Sequence, residues 1–109
     1  ATWCLPCRVE MPSLDNLQSE MGDENFQVVI VSVERTPFSK VDDFLREIDI
    51  KNLKNYHDPT TMVGKHINAK GLPITILFNK NGKEIGRYNG DFEWDSKEVV
   101  KFITELKKS

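Results

Sequence analysis

The chain has 109 residues, which is enough for one domain with a single modest core. Hydrophobic residues make up 39% of it and charged residues 29%, and the net charge is −2, as in ordinary soluble globular proteins. This charge balance argues against a nucleic-acid partner, and no apolar stretch approaches the roughly 18 residues that would span a bilayer. We predict one domain over residues 1–109.

The N-terminal part of the chain predicts a helix followed by a strand. Apolar residues recur at helical spacing over residues 5–22, with Pro6 in the first turn, Pro12 as an interior kink and Gly22 as the stop. Residues 27–33 are rich in β-branched side chains and have few polar breaks, which predicts a strand covered on both faces.

The middle of the chain predicts two helices joined by a connection. Thr36 as cap and Pro37 in the first turn open a helix that ends near Ile48. Its buried stripe is predicted to comprise Val41, Phe44, Leu45 and Ile48. Residues 49–58 are predicted to be a connection, and a short helix follows over residues 59–67.

The C-terminal part predicts a hairpin and a last helix. Residues 74–78 form a strand, the Asn-Gly pair at 81–82 indicates a two-residue hairpin loop, and residues 83–88 return as the partner strand. Asp95 or Ser96 then caps the last helix. The inner face of that helix is predicted to comprise Val99, Phe102, Ile103 and Leu106. This order of elements predicts an α/β sandwich in which helices cover a mixed sheet.

The two cysteines, Cys4 and Cys7, lie at the start of the predicted first helix. A disulfide that closes so short a loop is a weak structural staple, so the pair indicates chemistry. The helix N-terminus stabilises a thiolate on Cys4, which makes it the nucleophile. Cys7 lies one turn further on and can resolve a mixed disulfide by attacking Cys4. Leu5 and Pro6, between the cysteines, tune the balance of the two redox states.

The same cysteine spacing occurs in zinc sites, which need two further ligands. The histidines of the chain, His57 and His66, are nine residues apart, outside the usual spacing of three to five residues. We therefore predict no metal site and expect both histidines to be exposed and without a functional role.

A second candidate element, Gly71-Leu72-Pro73, directly precedes the predicted strand at 74–78. A proline in this position is compatible with an ordinary strand start. It is equally compatible with the cis peptide bond that occurs at tight turns. The residues alone leave both conformations open.

Together these motifs resemble the thioredoxin superfamily over essentially the whole chain. The resemblance rests on the Trp3–Cys7 motif, Pro12, Gly71-Leu72-Pro73 and the Asn-Gly pair at 81–82. Residues 1–12, the insert at 56–70 and the segment 93–96 make the chain more similar to the exported, TlpA-like branch of ResA and CcmG relatives than to cytosolic thioredoxin. The resemblance implies a thioredoxin-like fold, a mixed central sheet flanked by helices.

The resemblance also implies roles for individual residues. Cys4 would be the attacking cysteine and Cys7 the buried resolving cysteine. Pro73 would be a cis-proline that faces the disulfide, and the backbone of Leu72 would pair with the substrate peptide.

Further residues are candidates for substrate binding and proton transfer. Trp3 is expected, with Leu5 and Pro6, to form an exposed apolar surface that receives the substrate. Glu34 resembles, after a one-residue gap, an active-site glutamate of ResA-type relatives. It is either a carboxylate that relays a proton for Cys7 or a solvated glutamate at a strand end, and both interpretations remain open.

The chain departs from the family in one respect that concerns the fold. Relatives have an apolar central strand directly before the position of Trp3, whereas this chain starts at Ala1 without an initiator methionine. Without that strand, the predicted strands at 27–33 and 74–88 would have no partner between them. We therefore expect a domain that is incomplete at its N-terminus or that receives a strand from another chain.

The leading hypothesis is a thiol–disulfide oxidoreductase that reduces protein disulfides in the periplasm or another exported compartment, with no bound cofactor. The resemblance implies a role in cytochrome c or cytochrome oxidase assembly. It also implies a membrane electron donor of the DsbD type and a membrane anchor ahead of Ala1.

Three other functions remain open. The first is a general cytosolic thioredoxin recycled by a flavin reductase. The second is a metallochaperone that holds Cu(I) between two thiolates, since soft sulfur ligands select this ion. The third is a redox-inert interaction module, although such a protein has no need of both cysteines.

Overall fold

The computed structural model describes residues 1–108 and contains four helices and four strands in that range. In chain order these are α1 (Leu5–Met21), β1 (Ile30–Val33), α2 (Phe38–Glu47), β2 (Asn55–Asp58), α3 (Met62–His66), β3 (Ile74–Phe78), β4 (Glu84–Asn89) and α4 (Lys97–Lys107). The predicted helices and the hairpin are all present.

Helix α1 carries much of the core and begins at the cysteine motif. Cys4 is its N-cap, and Pro6 lies in the first turn, where a missing N–H leaves no bond unmade. The helix contains Pro12 and ends at Met21, with Gly22 as its C-cap. Its buried apolar residues are Cys7, Leu14 and Leu17.

Strand β1 differs from the prediction in length and in burial. It covers Ile30–Val33 only, and Val29 and Val31 are 54% and 41% exposed, so the expected cover on both faces is wrong. The pairing of β1 explains both differences. Within residues 1–108 it is hydrogen-bonded to a single neighbouring strand, β2.

Strand β2 lies in the segment that was predicted to be a connection. It runs parallel to β1, with Ile30 opposite Asn55 and Val33 opposite Asp58, and α2 forms the crossover between the two strands. The Asn-Tyr-His-Asp sequence of β2 has no apolar alternation. Its extended conformation therefore comes from the long-range pairing with β1 rather than from local preference.

The ends of α2 and α4 also differ in detail from the prediction. Pro37, not Thr36, is the N-cap of α2. Ser96 caps α4 by accepting the Val99 N–H at 3.4 Å, which leaves Asp95 to accept a hydrogen bond from Asn16 at 2.9 Å.

The predicted buried faces of α2 and α4 are buried only in part. On α2, Val41 and Leu45 are buried, whereas Phe44 and Ile48 are half-buried. On α4, Ile103 is buried, whereas Phe102 is 54% exposed, contrary to the prediction.

The hairpin of β3 and β4 is antiparallel, as predicted, but its loop is longer than two residues. Asn79 N–H donates to the Lys83 carbonyl at 2.9 Å, and Gly82 N–H donates to the Asn79 carbonyl at 3.0 Å. Gly82 has a φ of +78°, a conformation that glycine adopts without strain. The Asn-Gly pair therefore marks the turn correctly, while a bulge at Leu77/Phe78 and the longer loop set the register.

The predicted mixed sheet is present as two separate pairs, the parallel β1–β2 pair and the antiparallel β3–β4 pair. No strand within residues 1–108 lies hydrogen-bonded between them. Helices α2 and α3 contact the first pair, and α1 packs against α4. Among these described residues no helix is both long enough and apolar enough to cross a membrane.

Candidate active site

The two cysteines form a disulfide at the N-terminus of α1, with their Cα atoms 5.3 Å apart. As the N-cap, Cys4 accepts the Cys7 backbone N–H on its Sγ at 3.3 Å. The free N–H groups and the dipole of a helix N-terminus favour negative charge there. In the reduced form this position therefore stabilises a thiolate on Cys4, which is the reactive state of a cysteine.

The residues around Cys4 combine buried sulfur with exposed apolar side chains. Cys4 and Cys7 are both buried, at 5% and 6% exposure. Trp3 and Leu5, by contrast, are 70% and 69% exposed, and Pro6 is exposed as well. Large apolar side chains that project into solvent beside a reactive group are typical of a surface that binds another molecule.

The Leu72–Pro73 peptide bond is cis, the conformation that the family resemblance implies. Pro73 is buried, and its carbonyl accepts the Gly90 N–H at 2.9 Å. This hydrogen bond joins the start of β3 to the segment after β4 that carries Phe92 and Trp94. That Pro73 faces the disulfide and that Leu72 pairs with a substrate remain predictions.

Glu34 directly follows β1, is only 4% exposed, and is surrounded by hydrogen-bond donors. Its carboxylate accepts the Thr2 N–H, the Thr2 hydroxyl and the Ser32 hydroxyl, each at 2.6 Å, and the Thr36 side chain is a further donor. Burial disfavours the charged form, but these hydrogen bonds outweigh it and lower the pKa of Glu34 to about 2. The glutamate is therefore neither solvated nor protonated at neutral pH.

His57 lies next to this cluster and is half-buried, not exposed as predicted. Its Nε2 lies 2.9 Å from the Glu34 backbone carbonyl. Because a carbonyl oxygen can only accept, Nε2 must carry the proton in this contact. His66, in contrast, is exposed in agreement with the prediction.

Glu10 is a buried acid that was not singled out from the sequence. It lies one helical turn after Cys7 on α1 and is 4% exposed. Its Oε1 accepts the indole N–H of Trp94 at 2.6 Å. Burial raises the pKa of Glu10, and the hydrogen bonds from Trp94 and from the Phe92 backbone offset this only in part.

An aromatic cluster of Tyr88, Phe92 and Trp94 adjoins Glu10. The ring centroids are 5.1–5.7 Å apart, and Tyr88 meets both partners edge-on. The backbone N–H of Trp94 donates to the Ser13 hydroxyl of α1 at 3.0 Å, which holds the segment after β4 against α1.

One signal in the sequence could have identified Glu10. Residues three apart on a helix share one face, so the face of α1 that buries Cys7 also buries Glu10. Acidic side chains are seldom fully buried unless they have a partner. A glutamate on the core face of α1, one turn from a cysteine, is therefore a candidate functional residue. Within residues 1–108 no group of three or more histidine, cysteine, aspartate or glutamate residues is arranged to hold a metal ion.

Comparison with known proteins places these features in a family. The Redoxin family model matches residues 1–103. The thiol-disulfide oxidoreductase ResA of Oceanobacillus iheyensis is 32% identical over 83 residues, which cover 76% of this chain and 42% of that protein. The thioredoxin-like protein YneN of Bacillus subtilis is 41% identical over 89 residues, which cover 75% of this chain and 48% of that protein.

A solved structure confirms the fold. The thiol:disulfide interchange protein DsbE of Chlorobium tepidum superposes with a TM-score of 0.82 at 24% identity, over 97% of this chain and 74% of that chain. The chain spans about half the length of the curated relatives it matches. The match over residues 1–103 and the thioredoxin-like architecture agree, and the chain belongs to the Redoxin family of thioredoxin-like proteins.

Proposed function

We propose that this chain is a thiol–disulfide oxidoreductase in which Cys4 and Cys7 cycle between a dithiol and a disulfide. The observation that carries the proposal is the position of Cys4 as N-cap of α1, bonded to Cys7 and accepting its N–H at 3.3 Å. The ResA relative, named a thiol-disulfide oxidoreductase, supports the same activity.

The cycle follows from the chemistry of the pair. The Cys4 thiolate attacks one sulfur of a substrate disulfide, a mixed disulfide forms, and the other substrate sulfur leaves as a thiolate that takes up a proton. Cys7 then loses its proton and attacks Cys4 Sγ. This step releases the second substrate thiol, so that two electrons pass to the substrate and the Cys4–Cys7 disulfide is formed.

Glu10 is the group that we assign to the proton of Cys7. A base for this step must lie close to the thiol and have a pKa near the operating pH. Glu10 is buried on the same face of α1, and burial raises its pKa above the usual range. Glu34 is less suited because hydrogen bonds hold its pKa at about 2.

Substrate binding is assigned to the surface around Cys4. Trp3, Leu5 and Pro6 supply exposed apolar area beside the buried sulfurs. The Leu72 backbone would pair with an extended peptide, and Pro73 would limit access to the disulfide. The substrates are therefore protein thiols and disulfides, and the cycle uses no metal or organic cofactor.

The direction, location and partners extend the proposal beyond the chain itself. We assign the chain to a single domain that reduces protein disulfides in an exported compartment, in cytochrome c or cytochrome oxidase assembly. A DsbD-type membrane protein would supply the electrons, and a membrane tether would lie outside the present sequence. The support for these points is the TlpA-like character of the cysteine motif and its flanking segments.

The reduction potential of the Cys4–Cys7 pair tests the proposal most directly. The protein is equilibrated in graded glutathione or dithiothreitol buffers, alkylated and weighed, with Cys7→Ser as the control that cannot form the disulfide. We expect a potential near or below roughly −220 mV, in the range of reductants. A value near about −120 mV would reverse the direction, and a pair that forms no disulfide at any poise would refute the activity.

A further inference from the structure

Glu34 is bound to the segment that carries Cys4, although it lies 32 residues from Thr2 in sequence. Oε2 accepts the Thr2 backbone N–H, and Oε1 accepts the Thr2 hydroxyl, both at 2.6 Å. The remaining donors come from the strand side of the carboxylate, namely the Ser32 hydroxyl at 2.6 Å and the Thr36 side chain. The carboxylate therefore links the segment before α1 to the end of β1 at both of its oxygens.

The segment that Glu34 holds is a tight turn. Cys4 N–H donates to the Ala1 carbonyl at 3.2 Å, which closes the turn over Thr2 and Trp3. Thr2 is one of the two central residues of this turn, and both its backbone N–H and its side chain are fixed by Glu34. The turn places Trp3 in solvent and ends at Cys4, the N-cap of α1.

Glu34 also has a contact on the opposite side, toward the β1–β2 pair. Its backbone carbonyl is in hydrogen-bond contact with His57 of β2 at 2.9 Å, and it directly follows β1 in the chain. The contacts of Glu34 thus extend from the parallel β1–β2 pair to the turn. No arginine or lysine forms a salt bridge with this carboxylate within residues 1–108, and the groups that donate hydrogen bonds to it are neutral.

We propose that Glu34 is a positioning residue, whose carboxylate clamps the Thr2 turn to the end of β1 and thereby fixes Cys4 for disulfide exchange. The proposal rests on the proposed function and assigns Glu34 a role different from that of a proton relay. An ionised carboxylate has about four acceptor positions, and the four donors found here fill them. No acceptor position is left for a proton from Cys7.

The clamp has a consequence for the redox equilibrium. A disulfide between Cys4 and Cys7 forms readily when the two sulfurs are already held close together in the dithiol form. Release of the turn gives the reduced state conformational freedom that disulfide formation must remove. Loss of the clamp therefore disfavours the disulfide and makes the pair more oxidising.

The test compares variants on the two sides of the clamp. Glu34→Gln keeps the size of the side chain but replaces one acceptor oxygen by an NH2 group, which faces the donors of Thr2, Ser32 and Thr36. Thr2→Val removes only the hydroxyl donor, and Thr2→Ser restores it. Glu47→Gln, on an exposed glutamate at the end of α2, is the matched control. For each variant the Cys4–Cys7 potential and the rate of exchange with a labelled peptide disulfide are measured between pH 5 and 9.

We expect Glu34→Gln to lower the equilibrium constant for disulfide formation about ten-fold, which equals about 30 mV for a two-electron couple. Thr2→Val should shift the constant in the same direction by a smaller factor, whereas Thr2→Ser and Glu47→Gln should match the parent chain. The double variant Glu34→Gln/Thr2→Val should shift the constant by less than the sum of the two single shifts, because both changes act on the same contact. The pH dependence of the exchange rate should keep the same number of inflections.

Two outcomes overturn the proposal. One is an unchanged potential in both Glu34→Gln and Thr2→Val. The other is a pH profile that loses an inflection in Glu34→Gln alone, with Thr2→Val unaffected, which would make Glu34 a proton relay. If Glu34→Gln does not fold by circular dichroism, the two Thr2 variants decide alone. A parent chain that forms the disulfide but exchanges with no substrate would refute the proposed function and leave the potential measurement of the clamp valid.

Discussion

Two glutamates of this chain, Glu10 and Glu34, are equally buried, at 4% exposure each, yet their pKa values move in opposite directions. Glu34 has donors at both carboxylate oxygens, and hydrogen bonding outweighs burial, so its pKa falls to about 2. Glu10 has the Trp94 indole and one backbone contact, and burial outweighs them. The larger number of donors therefore accounts for the low pKa of Glu34, whereas burial and the nearby Asp91 carboxylate raise the pKa of Glu10.

The largest effect that tests this comparison is on the rate of exchange. Glu10→Gln should slow the step in which Cys7 resolves the mixed disulfide about 100-fold at pH 7, because the amide cannot accept the Cys7 proton. The pH profile of that step should also lose the inflection that belongs to Glu10. Single-turnover kinetics with a peptide disulfide measure both quantities.

Glu20→Gln, on an exposed glutamate of the same helix, is the matched control and should leave the rate unchanged. If Glu10→Gln resolved the mixed disulfide at the parent rate across the whole pH range, Glu10 would be a structural acid, and the contrast with Glu34 would not concern catalysis.

The next effect concerns stability, and its sign should differ between the two sites. The folded-state pKa of Glu34 is depressed, so its stabilising contribution is fully present above the unfolded value near 4.5 and is lost as pH falls through about 2. Glu34→Gln should lower the free energy of unfolding at pH 7 by about 2 kcal/mol, since donors then lose their acceptor.

Glu10 has a raised folded-state pKa, so its ionisation destabilises the fold as pH rises through that value. Glu10→Gln should therefore unfold at a higher urea concentration than the parent at pH 7 and at about the same concentration near pH 4. Urea titrations of the oxidised proteins at both pH values check the two signs. If Glu34→Gln and Glu10→Gln changed the free energy of unfolding in the same direction at pH 7, the explanation by hydrogen-bond donors would be wrong.

The smallest effect sharpens the assignment of Glu10. Trp94→Phe keeps an aromatic ring in the cluster with Tyr88 and Phe92 but removes the indole N–H that bonds Glu10. Because that bond lowers the pKa of Glu10, its loss should raise the pKa further and move the inflection of the exchange rate to higher pH. We expect the rate at pH 7 to fall only several-fold. Phe92→Leu, which leaves the indole donor in place, is the control, and an equal shift in both variants would attribute the effect to packing.

The local features of the fold were predictable because each depends on nearby residues. Helix α1 follows from the spacing of its apolar side chains, the α4 cap from Ser96, and the hairpin from the Asn-Gly pair at 81–82. Strand β2 was not predictable in this way. The sequence of β2 is polar, and its residues are extended because they pair with a strand more than twenty residues earlier in the chain.

For the candidate site, the sequence alone determined the cysteine pair, its place at a helix N-terminus and the exposed apolar residues beside it, because all of these depend on spacing within a few residues. Only the tertiary structure decided which groups surround the two acids. Two donors of Glu34 come from Thr2 and the side-chain donor of Glu10 comes from Trp94, contacts that span 32 and 84 residues. A pKa depends on the groups around a side chain in space, and no local pattern of residues specifies them.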